Sequence, residues 1–238
     1  MKKIASLSVV LAVFSFTAAK ADVIADWTFQ SSASTNNIIG TGKTPGTTQS
    51  GILADLGIGT ASASHASATT AWTIPAGNGS TNSWSSAYWA IGDYYQFSVS
   101  TLGFSGITLS FDQTSSNTGP GGYNLAYSTD GSTFYNFTSY TVLANAAPNT
   151  PWSVAIYNSA YTFNFNLSSI SALNNQSTIF IRLVDNSTVS ANGGGVGTGG
   201  TDRVDNFLVS ASPVPEPSSL ALGLFGGCAL LAALRRKS

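Results

Sequence analysis

The chain has 238 residues, room for one domain of ordinary size plus accessory segments. Charged residues make up 8% and hydrophobic ones 43%, which excludes the polar, highly charged profile of a disordered chain. Away from the two ends, three basic residues (Lys43, Arg182 and Arg203) stand against nine aspartates, a balance of −6 that would repel a phosphate backbone and excludes nucleic acid as the expected partner.

In chain order, Met1, Lys2 and Lys3 precede an apolar run, 4–19, that closes on Ala19-Lys20-Ala21. A cationic start, a short apolar stretch and an A-x-A site predict a secretory signal peptide over 1–21, handled by the Sec export machinery and cut after Ala21. The body, 22–212, contains no cysteine, since Cys228 is the one in the chain. Its core must therefore hold without disulfides, and 13 Phe, 9 Tyr and 5 Trp supply the apolar area to do so.

Alternation of period two recurs through the body and predicts strands. Tyr95, Phe97 and Val99 share one face, as do Ile107, Leu109 and Phe111, and then Tyr123, Leu125 and Tyr127. The third run ends at Asp130-Gly131, a hairpin signal, with Phe134 and Phe137 on the return. Further strands are predicted at 23–29, 69–74, 152–157, 161–167, 178–184 and 203–210. The segments 31–50 and 189–201 read as loops, the second as a flexible one, and 167–173 as a helical turn or loop. Short strands with no long helical period predict an all-β, jelly-roll-like antiparallel sandwich.

Beyond the last strand, Pro213 to Pro217 forms a stiff spacer that continues neither strand nor helix. Residues 218–234 are uncharged and end at Arg235, Arg236 and Lys237. As a helix they would reach roughly 25 Å, the short end of a bilayer span, and the basic stop would stay cytoplasmic. The order Pro215-Glu216-Pro217, apolar helix, basic end resembles the PEP-CTERM sorting signal of Gram-negative bacteria over about the last 25 residues. The segments 92–97, 116–120, 127–131 and 202–207 are similar to parts of jelly-roll domains in such proteins. The resemblance implies processing by an exosortase, with the tail (213–238) as a temporary inner-membrane handle and the body passed to the cell surface or matrix.

Catalysis finds little support in the sequence. His65 is the single histidine, in a small-residue stretch without a nucleophile elbow, and reads as an exposed loop or strand residue. Glycoside hydrolysis would need two aspartates, from Asp93, Asp112, Asp185, Asp202 and Asp205, and no spacing singles out a pair. The run 193–200 lacks the Gly-Lys-Ser/Thr ending of a phosphate loop. No cofactor is expected beyond a structural calcium, which related jelly-roll folds hold near the first and last strands. Here that implies Asp26, Asp202 and Asp205, although Asp205 could equally pair with Arg203 or bond to backbone. Trp84 and Trp89 belong to an aromatic concentration that serves either the core or a sugar site, with 78–86 as the place for exposed rings. Two functions follow as expectations. One is a non-catalytic surface or extracellular-matrix protein associated with biofilm or exopolysaccharide; the alternative is a carbohydrate-binding module attaching to polysaccharide. An Asp-dependent hydrolase comes third.

Overall fold

A computed structural model of the protein describes residues 21–38 and 44–214. The signal peptide and the sorting tail expected from the sequence lie outside the described residues, apart from Ala21, Pro213 and Val214. Among the described residues, no helix is long and apolar enough to cross a membrane.

β1 (Asp22–Trp27) leads through a short helix, α1 (Ser32–Thr35), to β2 (Thr44–Pro45), β3 (Thr48–Leu53) and β4 (Leu56–Gly57). Next come β5 (Gly59–Ser64), β6 (Ala71–Thr73), β7 (Trp84–Ala87), β8 (Tyr94–Val99) and β9 (Phe104–Ser115). β10 (Gly122–Ser128), β11 (Tyr135–Thr141), β12 (Thr162–Asn166), β13 (Ile179–Asp185) and β14 (Thr201–Pro213) complete the order. The first sheet runs β12-β9-β14-β7-β6-β2, with β1 beside β14 and β4 beside β1. The second runs β11-β10-β13-β8-β5-β3. The two pack as the antiparallel, jelly-roll-like sandwich that the alternation predicts.

The alternation is cleanest in β13, where Ile179, Ile181, Leu183 and Asp185 are buried and the residues between them half-exposed. β14 breaks its own period once. Val204 and Phe207 both face the core, so a bulge between them, with Asn206 at φ 50°, throws Asp205 and Asn206 outward. That bulge also lets one strand serve two neighbours, β7 through 201–204 and β1 through 207–211. Across the sandwich Phe97 stacks on Phe207 with centroids 3.5 Å apart, and Trp27 meets Phe97 edge-on at 5.1 Å.

Several local expectations change. Residues 152–157 form no strand; they belong to a strap, 143–158, over the outer face of the first sheet, tied by Trp152 Nε1 to Ala76 O at 2.7 Å. The segment 31–50 is more than loop, since it holds α1, β2 and the start of β3. Its turn is organised by Asp55, whose carboxylate accepts from Thr28 N, Thr28 Oγ1, Phe29 N, Ser31 Oγ and Ser34 Oγ. The glycine run before β14 is pinned rather than slack. Gly197 N donates to Thr118 O at 2.9 Å, and a Cβ on Gly200 would meet Thr118 O at 2.1 Å. At Gly200 the missing side chain is what permits that close backbone approach. Residues 171–173 do form a helical turn.

Candidate functional site

The outer face of the second sheet carries an ordered polar and aromatic surface. Register places Ser62, Gln96, Arg182, Ala126 and Asn136 in one row across β5, β8, β13, β10 and β11. The next row holds Ser64, Tyr94, Val184, Asn124 and Ser139. Arg182 is clamped flat: its guanidinium carbon lies 3.8 Å from the Tyr94 ring centroid and 3.5 Å from that of Phe134. Its Nε donates to Gln96 Oε1 at 2.8 Å and one terminal nitrogen donates to Tyr94 OH at 3.1 Å. Gln96 Nε2 passes the chain on to Ser62 Oγ at 3.3 Å.

In the second row Asn124 Oδ1 accepts from Asn186 Nδ2 at 2.6 Å and Ser139 Oγ at 2.7 Å, which fixes its amide and leaves Nδ2 as a free donor. Tyr94 OH, having accepted from Arg182, keeps its own proton to donate. Phe134 and Tyr94 are half-buried. Donors, acceptors and ring faces are thus held in place before any ligand arrives, the condition under which polar contacts give affinity.

The residues singled out from the sequence lie elsewhere. Trp84 and Trp89 are core residues, 0% and 6% exposed, and 78–86 offers no exposed tryptophan. Asp26, Asp202 and Asp205 do not meet. Asp202 points between the sheets, bonded to Gln113 Nε2 and Ser115 Oγ, while Asp205 lies on the outer face under the loop 77–80, accepting from Asn78 N and Ser80 Oγ. Asp26 neighbours Asp55 instead; burial first, and then that like charge, lifts its pKa to about 6. No group of three His, Cys, Asp or Glu among the described residues is arranged to hold a metal ion.

His65 is not the exposed residue its sequence setting suggests. It is buried against Trp72 and Trp89, with ring centroids at 4.8 and 4.2 Å, and burial pushes its pKa down to about 3. Its Nε2 lies 3.4 Å from Ser86 Oγ and its Nδ1 3.4 Å from Asp93 Oδ2. The order Ser–His–Asp is that of a nucleophilic relay. Here all three are buried, and a histidine held neutral this strongly is a poor proton acceptor. The cluster closes one end of the sandwich. The aspartates weighed for hydrolysis (Asp93, Asp112, Asp185, Asp202 and Asp205) are likewise all buried, out of reach of a polymer at the surface.

Residues 213–237 match the PEP-CTERM protein-sorting motif, so the sandwich is joined to a recognised sorting signal of the kind exosortases process. No curated protein matches the chain. Among solved structures, it is similar to TmCBM27, a carbohydrate-binding module with specific mannan recognition (11% identity, 81% of this chain and 99% of that one, TM-score 0.43). It is also similar to TmCBM61, solved with β-1,4-galactotriose (10% identity, 76% and 97%, TM-score 0.32). A third is a cleaved adhesin domain of Lys-gingipain from Porphyromonas gingivalis (10% identity, 61% and 84%, TM-score 0.37). At this distance no ligand or site carries across.

The platform was missed in the sequence because its members are scattered over five strands and alternate with core residues. One signal was present: Tyr94, Gln96 and Arg182 occupy the outward positions of two of the strongest strands, where serine and threonine are the rule.

Proposed function

We propose that the protein is exported through its signal peptide (1–21), sorted through its tail (213–238) by an exosortase, and displayed at the surface of a Gram-negative cell. There the body (22–212) acts without catalysis, binding polysaccharide on the outer face of the second sheet. The observation that carries the binding role is the clamped Arg182 row, a flat array of amides, hydroxyls and aromatic faces on an exposed sheet. Sugars match such a surface, offering apolar C–H faces to rings and hydroxyls to amides. The sorting motif supports export and surface display; a spanning helix at 218–234 belongs to the same proposal.

The test is binding of the exported protein to neutral polysaccharides by glycan array and calorimetry, with Phe134→Ala and Gln96→Ala as variants. Each variant should weaken the best ligand by tenfold or more while leaving the thermal midpoint nearly unchanged. Absence of any glycan binding, or equal binding by all three proteins, would remove the platform from the account.

A further inference from the structure

Arg182 and Arg203 are the two arginines of the described body, and they are used in opposite ways. Arg182 is clamped between two rings and bonded to Gln96 and Tyr94 on the second sheet. Arg203 lies on the outer face of the first, between Ser85 of β7 and Thr114 of β9. It is half-buried, and its guanidinium makes no hydrogen bond, ion pair or ring contact with any described residue. Its charged neighbour, Asp202, points to the other side of β14, between the sheets, where Gln113 Nε2 and Ser115 Oγ hold it. Its donors are unspent within the protein and open to solvent, and so to any partner that enters.

The surroundings suit an anion. Arg203 lines an open pocket of about 360 Å³ together with Ser116, Asn117, Thr118, Asn145 and Thr201. Asn145 Oδ1 is occupied by Trp152 N at 2.8 Å, which fixes the amide and leaves Nδ2 as the available group. Ser116 Oγ accepts from Thr201 N at 2.9 Å, which frees its hydroxyl proton to donate. Two side chains are therefore locked by their neighbours into presenting donors beside a guanidinium. The wall is rigid as well, because the loops 116–121 and 197–201 meet backbone to backbone: a Cβ on Gly119 would meet Thr201 O at 2.2 Å.

We infer that this pocket binds the carboxylate of an acidic sugar, with Arg203 as a bidentate partner and Asn145, Ser116 and Thr201 receiving the carboxylate edge and ring hydroxyls. A guanidinium fork matches a planar carboxylate. The lining of hydroxyls and amides has no apolar niche for a peptide side chain, and suits a hexuronic acid residue instead. The site is separate from the second-sheet platform and does not depend on it.

The exported protein is titrated calorimetrically with tri-galacturonate, its methyl ester and inorganic phosphate, beside Arg203→Gln and Asn145→Ala. Tri-galacturonate should bind, the uncharged ester at least tenfold more weakly. Arg203→Gln should lower the affinity tenfold or more and Asn145→Ala several-fold, with neutral-glycan binding at the platform unaltered in both. Asn145 lies on the strap rather than in a strand, so its variant answers the question should Arg203→Gln fold poorly. Equal binding of acid and ester, phosphate binding as tightly as the sugar acid, no binding of the acid, or unchanged affinity in Asn145→Ala would each overturn the inference.

Discussion

The interior of the sandwich has two unlike halves, and each long strand contributes to both. At one end β8 supplies Phe97 and Val99, β13 Ile179 and Ile181, β9 Ile107, Leu109 and Phe111, and β14 Phe207, Val209 and Ala211. At the other end the same four strands turn inward Tyr95, Asp185, Gln113 with Ser115, and Asp202. The first half is held by burial of apolar area and ring stacking. The second is held by hydrogen bonds: Tyr95 OH to Asp202 O at 3.1 Å, Gln113 Nε2 to Asp202 Oδ1 at 3.0 Å, Tyr140 OH to Gln113 Oε1 at 2.7 Å. A buried polar half stabilises only when every member is bonded. Two atoms there are not, Asp185 Oδ2 and Tyr123 OH. The comparison teaches that the apolar half carries the stability while the polar half makes it depend on pH. Both the platform and the Arg203 pocket are built on strands whose register the apolar half fixes.

The largest effect should come from emptying the apolar half. Phe207 is fully buried, stacked on Phe97, and 5.5 Å from the Phe111 ring. Phe207→Ala should cost about 3–5 kcal/mol in urea unfolding, because the rings around it are packed on all sides and cannot collapse into the space. A loss under about 1 kcal/mol would mean that the two halves contribute alike.

This division explains what could be read from the sequence. The apolar half was legible: Phe97, Val99, Ile107, Leu109 and Phe111 alternate with Ser and Thr, and the strands fall where period two places them. The polar half was not, because Gln113, Ser115 and Asp202 face inward while having the composition of a solvated face. His65 was misjudged for the same reason, its neighbours Ala63, Ser64, Ala66 and Ser67 giving no sign of the tryptophans that cover it. β5, with sequence GTASAS, and β7, with WSSA, carry too little apolar character to stand out as strands, yet they are paired on both sides. Tertiary pairing, not local propensity, makes them strands. The sorting tail was the easiest segment to read, since its signal is local and linear.

The next effect concerns pH. Burial first, with the Asp93 charge added, raises Asp185 to about 6 against a partly offsetting bond from Ser187 N. A carboxyl whose folded pKa is raised stabilises the fold below its unfolded value of 3.8, and that contribution is lost as pH rises through 6. The two-unit rise corresponds to at most about 3 kcal/mol, and solvent near the sandwich end screens part of it. Asp26 and Asp205, raised to about 6 and about 7, act in the same direction. His65 acts oppositely: its folded pKa of about 3 lies below the unfolded 6.5, so its contribution is lost as pH falls through that interval. The informative quantity is therefore the difference between wild type and Asp185→Asn. Unfolding midpoints should favour the variant by about 1–2 kcal/mol at pH 8 and converge near pH 4. A difference that does not change with pH would show that Asp185 is not a neutral acid in the fold.

The smallest prediction is also the most selective, because it sets two stacked tyrosines against each other within the polar half. Tyr140 and Tyr123 lie with ring centroids 5.9 Å apart, and both lose only an oxygen when changed to phenylalanine. Tyr140 OH donates to Gln113 Oε1, so Tyr140→Phe strands a buried acceptor and should cost about 1–2 kcal/mol. Tyr123 OH lies beside Asp202 without a well-formed bond, so Tyr123→Phe removes a poorly satisfied group and should cost less than Tyr140→Phe, under about 1 kcal/mol. Equilibrium urea unfolding at pH 5, where Asp185 adds little repulsion, resolves the two. Equal costs would mean that Tyr123 OH is bonded in solution, through a shifted Asp202 or an enclosed water. The polar half would then be a closed network rather than one with two loose ends.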